Sequence, residues 1–371
     1  MPNKNSKREQ SREALPRYCY VLFAIAALAL LLYLIAVLSP RFAAAFQQSV
    51  GSFTRALLGH LTGWLPFSIA EILILSLPLL LVGVGIYAYR NRCESWRSVG
   101  IYLLTLLSVL SLFFSTFVFG FGTGYHTPSL EERLGLDADA VSADELYQTA
   151  LLLSKQVNAA ATHLSFGEDG FSKMPYGFRE LGDRLVSAYE GLCDEHGFIQ
   201  RLSCRPKPVL ASKAMSYTHI TGVYTYFTGE ANVNVHFPAY TTPFTAAHEM
   251  AHQRGIAREN EANFIAFLAC TASDDPYILY SGYLNLFEYV ASALSYADHD
   301  KYKEVMSTLS PEVKGELRAY AAFFEPYRDH PAANLSESVN DTYLKLHGNQ
   351  AGTASYGLVV DLAVAYFKEL V

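Results

Sequence analysis

The chain has few cysteines and, over its first third, little charge. Five cysteines in 371 residues are too few and too scattered for a disulfide-stapled scaffold. Cys19 lies in an apolar run, Cys93 between two such runs, and Cys270 in an apolar helical stretch, where a thiol acts as a small core residue. Cys193 and Cys204 stand 11 residues apart around a turn. Spacing alone does not set the geometry a disulfide needs, so their pairing stays open. The absence of any basic tract or basic-aromatic array excludes the electrostatic footprint of a nucleic-acid binder. The absence of internal repeats sets aside solenoid architectures.

Charge is missing altogether from Tyr18 to Pro40, from Ile72 to Tyr89 and from Ser98 to Tyr125. A membrane span needs roughly 20 apolar residues, so each run qualifies, with spans expected over about 18–40, 68–89 and 99–122. Three such runs within 125 residues argue against buried helices of a soluble protein. The first run is too long for the apolar region of a cleaved signal and lacks a small-residue cleavage pattern.

What charge there is falls unevenly. Residues 1–125 hold ten Lys and Arg against four Asp and Glu, whereas the remainder holds 18 against 31. Lys4, Lys7, Arg8, Arg12 and Arg17 precede the first span, and Arg90, Arg92 and Arg97 follow the second. The loop between these spans carries only Arg41 and Arg55. Positive residues stay on the cytoplasmic side. The expected order is therefore a cytoplasmic tail (1–17), a membrane domain (18–125) and an extracytoplasmic domain (126–371). This is the layout of a multi-pass protein of the bacterial inner membrane, with the lipid bilayer as its first partner. Within the first loop, Phe42, Phe46, Val50, Phe53, Leu57 and Leu61 recur at helical spacing. They define a helix over about 42–62, lying on the membrane surface or packed against the spans.

The outer domain is long enough to bury its own core. Ser142-Ala-Asp-Glu145 has capping-box form and opens a helix to about His163. A second helix is expected over about Tyr176–Glu195. The stretch "SYTHITGVYTYFTGEANVNVHF" is rich in Tyr, Thr and Val with glycine breaks, the signature of a strand or hairpin. Helical patterning resumes after it, so the domain reads as α+β, mostly helical with a small sheet.

One segment carries chemistry: "TTPFTAAHEMAHQRGIARENEANF", residues 241–264. Thr242 can cap a helix and Pro243 fits its first turn. Gly255 suits a left-handed helix end. On that helix His248 and His252, four apart, face the same way, so both imidazoles can reach one ion such as Zn²⁺. Glu249 lies on the neighbouring line and suits a general base. If a second helix starts near Ala257, Glu259, Ala262 and Asn263 share a face. Glu259 then completes the ligand set, and Asn263 can accept a bond from a ligating imidazole. Glu261 is the alternative ligand, although it points about 160° away at 100° per residue. Both acids would equally suit a solvated first helical turn.

"HEMAH" followed by "ENEAN" resembles the zincin metallopeptidases, and among them the gluzincin type with HExxH on one helix and Glu-x-x-Ala-Asp/Asn on the next. The resemblance implies zinc on His248, His252 and Glu259, with Glu249 as catalytic base. A metzincin would need a histidine at position 258, which is Arg258, and Asn263 replaces the commoner Asp. Most of the chain is also similar to an uncharacterised bacterial membrane-protein family, the domain of unknown function 3810. That likeness rests on the spans, "FTGEANVN", the metal segment and "SYGLVVDL".

In a zincin-like fold the strand before the active helix is commonly a sheet edge, to which a peptide can add as a strand. Glu230, Asn232 and Asn234 alternate there and would line a cleft or face water. Tyr356 is a candidate oxyanion stabiliser or a core residue. His219 and His236 read as surface or satisfied histidines.

The function expected is a membrane-anchored zinc metallopeptidase acting on a peptide or protein outside the cytoplasm. The alternative is a catalytically inactive zinc-binding sensor or envelope assembly protein, which would need the ligands but not Glu249.

Overall fold

The computed structural model describes residues 14–91, 95–136, 141–346 and 358–369. The chain opens with α1 (Arg17–Leu38), a short α2 (Pro40–Phe46), a π turn (Gln47–Gly51), α3 (Ser52–Gly63), α4 (Ile69–Asn91) and α5 (Trp96–Gly120). Helices α1, α4 and α5 are long and apolar enough to cross a membrane. They leave Leu31, Leu34, Leu79, Leu81 and Leu110 exposed, an apolar surface too broad for water and suited to lipid.

The loop between the first two spans is helical, as its spacing predicts, but in three pieces. Pro40 starts α2, with the Ser39 hydroxyl accepting from the Phe42 N–H. The π turn then carries the buried Gln47, whose amide donates to the Phe121 carbonyl (3.2 Å) and the Thr123 hydroxyl (2.6 Å). Helix α3 is two-faced. Phe53, Leu57 and Leu61 are exposed, whereas Arg55, Gly59 and Thr62 are buried. The buried stripe meets the second half of the chain. Arg55 Nε donates to Gln200 Oε1 (2.9 Å), and the Thr62 hydroxyl donates to the Thr228 carbonyl (3.1 Å). A helix with one apolar face free and the other packed on protein suits the membrane surface.

After α5 a 3₁₀ turn (Gly122–His126) leads into α6 (Leu130–Leu134), α7 (Ala143–Ala161) and α8 (Phe178–Glu195). The capping box at Ser142 and Glu145 forms as the sequence predicts. Helix α8 starts two residues later than expected because Gly177 takes the extended cap position.

Next come β1 (Lys207–Pro208), α9 (Ser212–Ser216), β2 (Gly222–Thr225) and β3 (Glu230–Val233). The sheet order is β1-β3-β2, with β1 parallel and β2 antiparallel to β3. The hairpin expectation holds. The strand nearest the motif, however, is the middle of the sheet, so the edge falls to β2.

The remaining elements are α10 (Thr241–Gln253), α11 (Glu259–Thr271), α12 (Pro276–Ala297), α13 (His299–Thr308), α14 (Pro311–Phe324), α15 (Pro331–Leu346) and α16 (Val359–Glu369). Asp275 caps α12 by accepting from Tyr277 N–H and Ile278 N–H, with Pro276 in the first turn. Leu284, Phe287, Val290 and Leu294 recur along α12 at helical spacing and are fully or almost fully buried. They join Leu153, Val157 and Phe267 in one core. Cys193 and Cys204 are both free thiols, and Cys204 packs against the Gly59 position of α3.

Candidate metal centre

Helix α10 begins one residue before Thr242, so Thr242 is not its cap. Tyr240 precedes the helix in αR geometry without a side-chain cap. Ser281 of α12 takes that role, its hydroxyl accepting from Phe244 N–H (3.1 Å) and donating to the Tyr240 carbonyl. The other end follows the sequence closely. Gly255 has φ +98°, Ile256 N–H donates to Ala251 O (3.1 Å) and Gly255 N–H to His252 O (3.0 Å), the bond pair of a left-handed helix stop. A Cβ at 255 would lie 2.7 Å from Arg55 Nη2, so glycine is required on space as well as on φ.

The turn points α11 back at α10. His248 Nε2 lies 3.2 Å from Glu259 Oε2, and His252 Nε2 lies 3.6 Å from Glu259 Oε1. One ligand atom from each of the three residues falls within 4.8 Å of the others. A tetrahedral ion bound at about 2.0–2.1 Å separates its ligand atoms by about 3.3 Å, so this donor set fits one ion without rearrangement of the backbone. The His252 Nδ1 is 2.7 Å from the Ile256 carbonyl, which assigns its proton there and leaves Nε2 available to an ion. His248 Nδ1 is buried without a hydrogen-bond partner.

Electrostatics follow from this packing. Burial would lift Glu259, but His252 and His248 outweigh it and hold the carboxyl well below its usual range. Burial would lower His252, yet Glu259 outweighs that and carries it upward. Glu249 behaves differently. Burial pushes it up to about 7, against the pull of His248, His252 and the nearby Tyr224 N–H. A carboxyl poised near neutrality is suited to moving protons.

Glu261, the alternative ligand, is committed elsewhere. Its carboxylate accepts from Leu130 N–H (2.9 Å), Arg133 Nη2 (2.7 Å) and Arg258 Nη1 (2.5 Å). Asn263 does not make the expected bond to an imidazole. The Gly255 turn delivers the Ile256 carbonyl to His252 instead, and Asn263 Nδ2 is buried without a partner.

Glu230, Asn232 and Asn234 line no cleft, and this reading is corrected. All three are buried. Glu230 pairs with Lys207 Nζ (2.6 Å) and accepts from Ile69 N–H and Ala70 N–H at the start of α4. Asn232 donates to Val223 O and Asn234 to Ile220 O. They brace the sheet and fasten it to the start of α4. His219 and His236 are satisfied, contacting the Tyr327 carbonyl (2.7 Å) and hydroxyl (2.8 Å). Tyr356 lies outside the described residues.

Two neighbours of the centre are not foreseen from the motif. Gly222 of β2 lies so close to Glu249 that an added Cβ would sit 2.5 Å from its Oε1. Phe121, one residue beyond α5, presents its ring to His252 at 5.7 Å between centroids and 80° between planes. The sequence held one hint, the glycine-rich "GFGTGY" just after the last apolar run. Gly124 accepts the close approach of Ala257 there, 2.9 Å from where its own Cβ would be.

Fold and site define a largely helical domain joined to three apolar helices of spanning length, with a His-His-Glu cluster at their junction. The chain belongs to the family described as protein of unknown function (DUF3810), whose family model matches residues 46–364. None of the curated proteins and none of the solved structures compared with the chain matches it.

Proposed function

We propose that the protein is a membrane-anchored, zinc-dependent peptidase whose domain has a zincin-like active centre, facing away from the cytoplasm. The observation that carries this reading is the convergence of His248, His252 and Glu259 beside the buried base Glu249. Zn²⁺ bound there would act as a Lewis acid and lower the pKa of water towards about 7. Its holders would be the Nε2 atoms of His248 and His252 and the carboxylate of Glu259. Glu249 takes a proton from water at the start of hydrolysis and hands it to the departing amine. Tyr224 N–H and the close wall at Gly222 fix the direction from which that carboxyl reaches the reacting atoms. The substrate-pairing edge is β2 rather than β3, since β3 already has partners on both sides.

The test compares wild type with Glu249→Gln as full-length proteins. Both are expected to hold about one equivalent of zinc, and only wild type to cleave a broad peptide library. Less than about a tenth of an equivalent in wild type sinks the zinc reading, and equal turnover by the two sinks the role of Glu249.

A further inference from the structure

The hairpin that approaches Glu249 also reaches down beside a membrane helix. Its turn, between β2 and β3, packs along α5: Tyr226 meets Phe117 at 5.2 Å and Phe227 meets Phe113 at 5.5 Å between ring centroids. Phe113 lies seven residues before the end of α5 at Gly120, which is about 10 Å down the helix at 1.5 Å per residue. The same turn is fastened to α3 through Thr62 and Thr228, and Glu230 just after it holds the start of α4. The tip of the hairpin therefore sits below the outer ends of the apolar helices.

Strand β2 climbs from that depth to the metal centre. Tyr224 packs on Phe121 at 5.3 Å, Phe121 on His252, and Gly222 on Glu249. Asn234 N–H donates to Thr221 O. In an antiparallel ladder the bonded pairs alternate, so Val223 and Thr225 turn their backbone groups towards β3, and Gly222 and Tyr224 turn theirs outward, the Tyr224 N–H towards Glu249. Among the described residues no strand pairs with that outer edge. A chain laid along it would have one end at Glu249 and the other at the depth of Phe117.

We infer that the substrates are membrane-anchored polypeptides. They are cut in an extended stretch that pairs with the outer edge of β2, about three to eight residues from where the chain leaves the bilayer, at roughly 3.3 Å per residue. This rests on the peptidase reading above and names its substrate class. The hairpin tip, seated on Phe113 and Phe117 of α5, brings the edge of β2 to where the segment emerges, and the β2 backbone holds it across Glu249 by strand addition.

The test co-reconstitutes the full-length protein in liposomes with three substrate libraries sharing one randomised ten-residue stretch. In the first, this stretch directly follows a single apolar span. In the second, a 40-residue Gly/Ser linker separates the two. In the third, the stretch is a soluble peptide. Mass spectrometry maps the products, with Glu249→Gln as the blank. Cleavage of the directly tethered library at least tenfold faster than of the other two is the expected result. Equal or faster cleavage of the soluble or long-linker library overturns the inference and leaves the peptidase reading standing. No Glu249-dependent cleavage in any arm sinks both. Phe227→Ser, which loosens the hairpin tip, is expected to reduce the tethered advantage below threefold with soluble turnover unchanged. A parallel fall in both would make the tip a structural prop only and would also overturn the inference.

Discussion

Glu259 and Glu261 stand two residues apart, and glutamine at each position should separate metal binding from folding. Glu261 holds two guanidiniums and a backbone N–H, and its side chain is 3% exposed. Removing one partner of a buried ion pair costs about 3–5 kcal/mol. Arg133 and Arg258 retain 15% and 24% exposure, so water recovers part of the loss and about 2–3 kcal/mol is reasonable. For a domain of this size, that lowers Tm by about 5–10 °C. Zinc at about a hundredfold excess over Kd stabilises the native state by about 2.7 kcal/mol, again about 5–10 °C. Glu261→Gln should keep that increment on a lowered baseline. On the zinc reading Glu259→Gln removes a ligand, and a hundredfold weaker affinity leaves only about 0.4 kcal/mol of zinc stabilisation, or about 1 °C. The assay is thermal unfolding of the full-length protein in detergent after chelator stripping, with and without zinc, alongside metal content by mass spectrometry. A zinc increment that survives Glu259→Gln, or disappears in Glu261→Gln, would refute the assignment.

Gly222→Ala should leave zinc content unchanged but displace the Glu249 carboxyl, which an added Cβ would meet at 2.5 Å. A shift of about 1 Å in a catalytic group costs on the order of a hundredfold in rate, read as the turnover ratio to wild type. Burial, with Glu316 adding to it, holds Glu288 up to about 8, from an ordinary 4.5. A raised carboxyl pKa gives stability that is complete below about 4.5 and is lost as the pH climbs through about 8. Tm of wild type relative to Glu288→Gln should therefore decline from pH 5 to pH 8, and a constant difference would contradict the shift. Cys193 and Cys204, both free, should show no mobility change on reduction. Maleimide should reach the half-buried Cys193 in the native protein, but Cys204 only after unfolding.

The local grammar of the chain was readable wherever one stretch determines its own structure. The uncharged runs, the capping box at Ser142, the glycine stop at Gly255 and the helical phase of His248, His252 and Glu259 all depend on neighbours within a few residues. What was hidden depends on partners far along the chain. Glu230, Asn232 and Asn234 alternate as a water-facing or cleft-lining set would, but Lys207, the start of α4 and the Ile220 carbonyl take them up. Thr242 has the right chemistry for a cap, but Ser281, 37 residues from Phe244, fills that role. Asn263 has the right phase to support an imidazole, but a backbone carbonyl brought by the glycine turn arrives first. Polar residues with several possible acceptors are the hardest to place from sequence, because hydrophobic phase constrains them least.

Packing between the N-terminal helices and the His-His-Glu cluster runs across the boundary expected near residue 125. Arg55 of α3 is 2% exposed and has no carboxylate among its hydrogen-bond partners, which are Gln47, Gly120 and Gln200. Burial lowers its pKa to about 10, a cost tolerable only while those acceptors stay in place. The same guanidinium packs on Gly255, the residue that turns α11 towards α10 and so brings Glu259 to the histidines. Phe121 and Gly124 cover His252 and Ala257 from the membrane side. A chain cut at 126 would lose Arg55, Gln47, Phe121 and Gly124 together, opening the glycine turn and one wall of His252 to water. The geometry of the His-His-Glu cluster is thus a property of the whole chain, with α3 as the element through which the apolar helices hold it in shape.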